Sequence, residues 1–188
     1  MARYFVVPRR TLPFNSISPI RFTKLYFCAK KDKNIILHEK GVCMKTIEEI
    51  REFAGRNPAT WVATAAGDQP HLRAMAMWFA DDTGFYFHTG TQKRLHQQLL
   101  GNPKVELGFF NPGDGMGTMQ MVRVTGKIET VSDPALEEKL FKDRPWLNEV
   151  FKAWPDDRIF IFRIAHGEAQ YWDMGLNCRE KDTPPIPF

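Results

Sequence analysis

Cysteine is scarce in this 188-residue sequence. Two of the three cysteines, Cys28 and Cys43, precede residue 44, so only Cys178 remains in the rest of the chain. A disulfide within residues 44–188 is therefore impossible, and the lack of a C-x-x-C pair argues against a structural zinc site. We predict no metal site, and we expect the protein to work in a reducing compartment, the cytoplasm.

Long apolar runs and the common catalytic motifs are also missing. Charged residues, Gln or Pro interrupt every apolar stretch before it reaches roughly 18 residues, which excludes a membrane-spanning helix. No G-x-S-x-G, Walker loop or His-Glu-x-x-His sequence marks a hydrolase, a nucleotide site or a metalloprotease. The glycine cluster from Gly113 to Gly117 lies between two predicted strands, whereas a dinucleotide-binding loop opens a helix, so a Rossmann fold is not favoured.

Positive charge is concentrated at the start of the chain. Residues 1–43 carry a net charge of +7, which leaves −3 in residues 44–188. This composition fits a transit peptide or a basic nucleic-acid-binding arm. We expect a mis-annotated start or a disordered leader instead, because codons permitted for Glu39 to Val42 include a ribosome-binding sequence just upstream of Met44. The folded domain is predicted to span residues 44–188, and it is not expected to bind nucleic acid.

Helix signals occur at three places. A capping box of Thr46 and Glu49 starts the first predicted helix, and Asn57-Pro58 ends it. A second helix is predicted after Gly90-Thr91, and a third is predicted to begin at Ser132-Asp133-Pro134, where Ser or Asp caps and Pro fits the first turn.

Strand patterns occupy most of the remaining chain. Predicted strands cover residues 60–65, 71–79, 85–89, 104–110, 119–131 and 158–172. Hairpins join most of them, and helices lie in the other connections. This order predicts a mainly β protein, a small antiparallel β-barrel with peripheral helices, rather than an alternating parallel sheet.

One group of residues has the chemistry of a phosphate site. Arg73 lies on a predicted strand, and another strand ends at His88-Thr89, just before a helix start that carries Thr91 and Lys93. Free N–H groups at a helix start attract an anion, the threonine hydroxyls can donate to it, and the cations add charge. A threonine helix cap beside surface cations is the alternative, and the spacing by itself does not separate the two.

Five segments then follow one another in a characteristic order. They are Trp61-Val62-Ala63-Thr64, Asp68-Gln69-Pro70 with His71-Leu72-Arg73-Ala74-Met75, Gly84-Phe85-Tyr86-Phe87-His88-Thr89-Gly90 with Lys93, Asn102-Pro103-Lys104-Val105, and Val122-Arg123-Val124-Thr125-Gly126-Lys127. In this order and spacing, residues 58–131 resemble the flavin-binding split-barrel family related to pyridoxamine 5'-phosphate oxidase. Residues 158–172 resemble the closing strand of one bacterial and archaeal branch of that family.

The resemblance implies an antiparallel FMN-binding split barrel, with FMN held noncovalently in a groove between the two protomers of a homodimer. It assigns the FMN phosphate to Arg73 and the helix start, and it assigns backbone contacts with the isoalloxazine ring to residues 74–76. The expected cofactor-binding residues are Arg73, Ala74, Met75, Ala76, His88, Thr89, Thr91, Lys93 and Trp172. Residues 90–101 depart from the family's Ser-Arg-Lys pattern, and Trp172 either covers the flavin edge or is a core aromatic.

The substrate is not fixed by this resemblance. The C-terminal Arg-Leu-x-Pro motif, with which true pyridoxamine 5'-phosphate oxidases hold their substrate, is missing. We therefore expect an FMN-dependent oxidoreductase of another, unknown substrate, with a small-molecule electron donor or acceptor and no identifiable catalytic residue. A non-enzymatic flavin- or haem-binding split-barrel protein is one alternative, and nucleic-acid binding through the basic leader is another.

Overall fold

The computed structural model describes residues 45–188, so the predicted leader lies outside the described residues. These residues form four α-helices: α1 (Ile47–Arg56), α2 (Arg94–Gly101), α3 (Pro134–Asp143) and α4 (Trp146–Ala153). In α1 the hydroxyl of Thr46 accepts a hydrogen bond from Glu49 N, and the Glu49 carboxylate accepts one from Thr46 N, which confirms the capping box. No helix within residues 45–188 is long and apolar enough to cross a membrane.

Ten strands within residues 45–188 form two antiparallel sheets. The strands are β1 (Ala59–Ala66), β2 (Gln69–Ala76), β3 (Phe79–Asp81), β4 (Gly84–Gly90), β5 (Lys104–Asn111), β6 (Gln120–Lys127), β7 (Glu129–Val131), β8 (Ile159–Ile164), β9 (Gly167–Asp173) and β10 (Ile186–Pro187). One sheet has the order β10-β9-β6-β5-β1-β2 and the other has the order β3-β4-β8-β7. The prediction of a mainly β, antiparallel split barrel is confirmed. The two sheets do not join into one closed barrel within the described residues.

The two sheets share one apolar core. Strand β1 alternates, with Thr60, Val62 and Thr64 buried and Trp61 exposed, so one face of the six-stranded sheet covers the core. Strand β4 is instead buried on both faces. Its second face packs against α3 and α4, where Leu140 and Leu147 join a separate apolar cluster. The helices therefore lie outside the four-stranded sheet.

Three predicted strands were wrong in the same way, because each crosses from one sheet to the other. The run 158–172 divides into β8 and β9 at Ala165-His166, and 119–131 divides into β6 and β7 at Ile128. The run 71–79 likewise divides into β2 and β3. Alternation persists through such a bend, so a local pattern does not reveal it. Helix α4 was missed, and α2 begins at Arg94 rather than earlier.

Candidate functional site

A cavity of about 570 Å³ lies between strand β2 and the end of β4. Strand β2 is at the edge of its sheet, and no described strand pairs with its second edge. Residues from β2, β4, α2 and the α3–α4 corner line the cavity: His71, Leu72, Arg73, Ala74, Met75, Ala76, His88, Thr89, Lys93, Arg94, Leu95, Gln98, Arg144 and Trp146. The structure thus brings together seven of the predicted site residues, all except Thr91 and Trp172.

The lining of this cavity is strongly cationic. Arg73, Lys93, Arg94 and Arg144 contribute to it, and no carboxylate does so among its lining residues. This concentration of positive charge contrasts with the net charge of −3 that residues 44–188 carry as a whole. A cavity that collects charge of one sign raises the local concentration of counter-ions of the other sign. The chemistry therefore fits an anionic ligand.

Arg73 is held in place by two side chains. Its Nη1 donates to Thr64 Oγ1 at 3.0 Å, and its Nη2 donates to Gln98 Oε1 at 2.7 Å. The Thr64 hydroxyl also donates to Gln98 Oε1, at 2.9 Å. Burial lowers the pKa of Arg73 from its ordinary value, although a guanidinium remains charged near neutral pH. The result is a fixed cation on the wall of the cavity.

The start of α2 adds a second part of the site. Lys93 is its N-cap residue, and no side chain caps the first turn. The uncapped N–H groups are donors at the positive end of the helix dipole. Thr91 serves neither role considered from the sequence, since its hydroxyl donates to Asp157 Oδ1 at 3.0 Å and accepts from Arg158 N. The helix start therefore combines free donors with the charges of Lys93 and Arg94.

His88 occupies the end of β4 and contacts Arg144. Arg144 Nη1 lies within hydrogen-bond distance of His88 Nε2, and Arg144 Nη2 donates to the Met77 carbonyl oxygen at 2.9 Å. Burial, together with the charges of Arg144 and Lys93, lowers the pKa of His88 to about 4. The imidazole is therefore neutral at physiological pH, and it cannot add a further positive charge to the site.

Comparison with known proteins agrees with this architecture. Residues 46–171 match the family model described as pyridoxamine 5'-phosphate oxidase. The chain belongs to the pyridoxamine 5'-phosphate oxidase family. A pyridoxine/pyridoxamine 5'-phosphate oxidase of Pseudomonas putida is 31% identical over 131 residues, which cover 65% of this chain and 58% of that protein. A Streptomyces avermitilis protein of the same name is 31% identical over 67% of this chain and 54% of its own length. The chain thus spans less than two thirds of the length of these relatives.

Solved structures show the same fold. A NimC/NimA family protein from Clostridium acetobutylicum superposes with a TM-score of 0.60, at 20% identity, and the match covers 77% of this chain and 95% of that one. A FAD-binding protein from Mesorhizobium loti superposes with a TM-score of 0.50, at 20% identity, over 66% of this chain and 92% of that one.

Seven lining residues of this pyridoxamine 5'-phosphate oxidase family member were not among the predicted site residues, and Gln98, Arg144 and Trp146 are three of them. Gln98 follows Arg94 by four positions on α2, so helical spacing could have placed both on one face. Arg144 and Trp146 lie at the α3–α4 corner, and they reach the cavity only because those helices pack on the four-stranded sheet. No local signal in the sequence marks either residue.

Trp172 lies outside the cavity of its own chain. It lies on β9, opposite Met121 of β6, and three strands separate β9 from β2. At the usual strand spacing of about 4.8 Å this corresponds to roughly 19 Å. The structure therefore does not bring Trp172 to the cavity with the other predicted site residues.

Proposed function

We propose that the cavity binds FMN, with the FMN phosphate held by Arg73, Lys93 and Arg94. The observation that carries this proposal is the group of four cations, unaccompanied by a lining carboxylate, beside an uncapped helix start. Charge-assisted hydrogen bonds from guanidinium and ammonium groups, together with helix N–H groups, are the contacts that a phosphate monoester accepts. The phosphate of FMN therefore fits the hydrogen-bond donors that the chain provides at this cavity.

The free edge of β2 fits the flavin ring. Its outward backbone N–H and C=O groups are not paired with any described strand, and they lie along the cavity wall. Ala74 and Ala76 are small enough for a flat ring to approach the backbone closely, and Met75 adds a polarisable contact. The volume of about 570 Å³ is within the range of small-molecule sites. The FAD-binding relative supports a flavin in this fold.

A homodimer is part of the proposal. Trp61, Leu72 and Phe110 are large apolar residues exposed on the outer face of the six-stranded sheet. Exposed apolar patches of this kind mark interaction surfaces. Leu72 belongs both to this face and to the cavity lining, so a second copy on the face would also close the cavity. In such a dimer the partner's Trp172 would be available to cover the flavin.

The proposed activity is that of an oxidoreductase. Bound FMN supplies one- and two-electron chemistry. The residues of the chain bind the phosphate, hold the ring against β2 and keep His88 neutral at the cavity wall. Because the Arg-Leu-x-Pro motif is missing, we propose a substrate other than pyridoxamine 5'-phosphate. We place the activity in the cytoplasm, where the exposed thiol of Cys178 would stay reduced.

The first test is the visible spectrum of the protein as isolated, followed by titration of the apoprotein with FMN, FAD and riboflavin. We expect a flavin spectrum and the tightest binding for FMN. A haem spectrum, or no affinity for any flavin, would contradict the proposal.

Turnover is tested separately with nicotinamide or dithiol donors and a panel of electron acceptors. Reduction and reoxidation of the bound flavin during multiple turnovers would support an enzyme. A protein that holds FMN but cycles no electrons would instead be a non-enzymatic flavin carrier.

A further inference from the structure

We propose that Asp157, which does not line the cavity, is the positioning residue that sets the anion-binding start of α2. The inference rests on the proposed FMN site and concerns a residue 64 positions beyond Lys93 in the chain. Asp157 lies in the loop between α4 and β8, and the segment it holds is the turn between β4 and α2.

One carboxylate oxygen of Asp157 organises this turn. Its Oδ1 accepts hydrogen bonds from the Thr91 hydroxyl at 3.0 Å, from Gln92 N at 2.9 Å and from Arg158 N at 2.9 Å. Thr91 is bound on a second side as well, because Thr91 N donates to the Arg158 carbonyl oxygen at 2.9 Å. The two residues just before Lys93 are thereby tied to the start of β8.

Gly90 makes the close approach of Asp157 possible. A Cβ atom built on Gly90 would collide with the Asp157 carboxylate. The Asp157 carboxylate therefore occupies space that is free only because Gly90 has no Cβ atom. Gly90 and Ile159 are also paired in the ladder between β4 and β8, which places the two segments side by side.

The negative charge of Asp157 does not itself attract an anionic ligand. Burial by itself would raise the pKa of Asp157, but hydrogen bonds from Gln92, Thr91 and Arg158, together with the charge of Lys93, lower it. The carboxylate is therefore ionised, and an ionised carboxylate near Lys93 opposes the binding of an anion.

What the carboxylate supplies is the conformation of the turn. Because no side chain caps α2, the direction of its first N–H groups depends on residues 91–92 and on the bonds that hold them. Asp157 thus favours an anionic ligand by orienting the first N–H groups of α2. This effect must exceed the repulsion between the carboxylate and the anion.

The test compares FMN with riboflavin, which lacks the phosphate, in Asp157→Ala, Asp157→Asn and Gly90→Ala. We expect Asp157→Ala to weaken FMN binding roughly tenfold, the scale of a lost helix cap, while riboflavin binding changes less than about twofold. Asp157→Asn keeps an acceptor oxygen and removes the charge, so it should bind FMN as tightly as the unaltered protein or more tightly. Gly90→Ala should reproduce the effect of Asp157→Ala.

The FMN affinity of the double variant that combines Gly90→Ala and Asp157→Ala gives an independent readout. If Gly90→Ala acts by displacing the carboxylate, combining it with Asp157→Ala should add little to the loss caused by either change alone. Asp156→Ala is the matched control, since it removes a neighbouring exposed carboxylate whose side chain makes no hydrogen bond within residues 45–188. It should leave the ratio of FMN to riboflavin affinity unchanged.

The outcomes are distinguishable. Tighter FMN binding in both Asp157→Ala and Asp157→Asn would show that the carboxylate acts only as an opposing charge, and it would overturn the inference. Equal loss of FMN and riboflavin would show general structural damage and would overturn it too. If the unaltered protein binds neither flavin, the proposed function itself fails, whereas FMN binding that is unaffected in Asp157→Ala defeats only the positioning role.

Discussion

The guanidinium of Arg144 donates a hydrogen bond to Nε2 of His88, and this contact fixes the tautomer of the imidazole. Arginine has donors and no acceptor, so Nε2 must supply the lone pair and the ring proton must lie on Nδ1. Arg144 also donates to the Met77 carbonyl oxygen. The α3–α4 corner is thus joined to two strands at the cavity, and His88 is presented there as a neutral N–H donor.

Replacing Arg144 should change the titration of His88. In Arg144→Met we expect the pKa of His88 to rise from about 4 but to stay below its ordinary value of 6.5, because burial, the largest cause of the lowered pKa, remains while one neighbouring cation is removed. Nitrogen-detected NMR of the imidazole measures both the pKa and the tautomer. Lys142→Met removes an exposed cation from the last turn of α3 that is not among the groups lowering the pKa of His88, and it should change neither. An unaltered pKa in Arg144→Met would contradict the assigned contact.

Acid should destabilise the protein through His88. The pKa of His88 is lowered in the folded state, so the unfolded chain binds this proton more readily. The stability that neutral His88 contributes is complete above pH 6.5 and is lost progressively as the pH falls through 4. A lowering from 6.5 to about 4 corresponds to about 3 kcal/mol at most. Urea denaturation across this pH range should show a shallower dependence in His88→Gln. Equal slopes in the two proteins would argue against a buried, neutral histidine.

The cations of the cavity should distinguish FMN from riboflavin. Arg73→Ala and Lys93→Ala each remove a charged hydrogen bond, so FMN binding should weaken roughly tenfold to a hundredfold while riboflavin binding barely changes. Arg94→Ala should weaken FMN binding as well, because Arg94 lines the cavity next to Lys93 and is exposed as Lys93 is. Titration calorimetry measures all three. Lys104→Ala, at an exposed position on β5, is the control. FMN affinity that survives in either main variant would refute the phosphate assignment.

The outer sheet face should mediate dimerisation. Trp61→Glu places a charge in the apolar surface and should convert a dimer into monomers at micromolar concentration, with loss of bound FMN. Light scattering measures the mass, and absorbance gives the FMN content, for which we expect one per chain. Trp154→Glu alters a tryptophan of similar exposure that lies just after α4, away from that face, and should remain dimeric. A monomer that holds stoichiometric FMN would rule out the shared groove.

Local patterns in the sequence predict several elements and much of the site. The capping box at Thr46 and the Asp133-Pro134 helix start depend on neighbours within a few residues, and both form as predicted. The order of motifs identified the family and gave seven residues that the structure brings to one cavity. Residues close together in the sequence determine these features, so the sequence displays them directly.

The partners of the remaining residues depend on packing between segments that are distant in the sequence. Asp157 accepts a hydrogen bond from Thr91, which lies 66 positions earlier in the chain, and Arg144 contacts His88, which lies 56 positions earlier. The run 158–172 reads as one strand, yet its two halves join different sheets. The lowered pKa of His88 likewise comes from burial and from cations on other elements. Each of these depends on how two sheets and a helical corner pack, and packing sums contacts between distant segments that no local pattern of residues records.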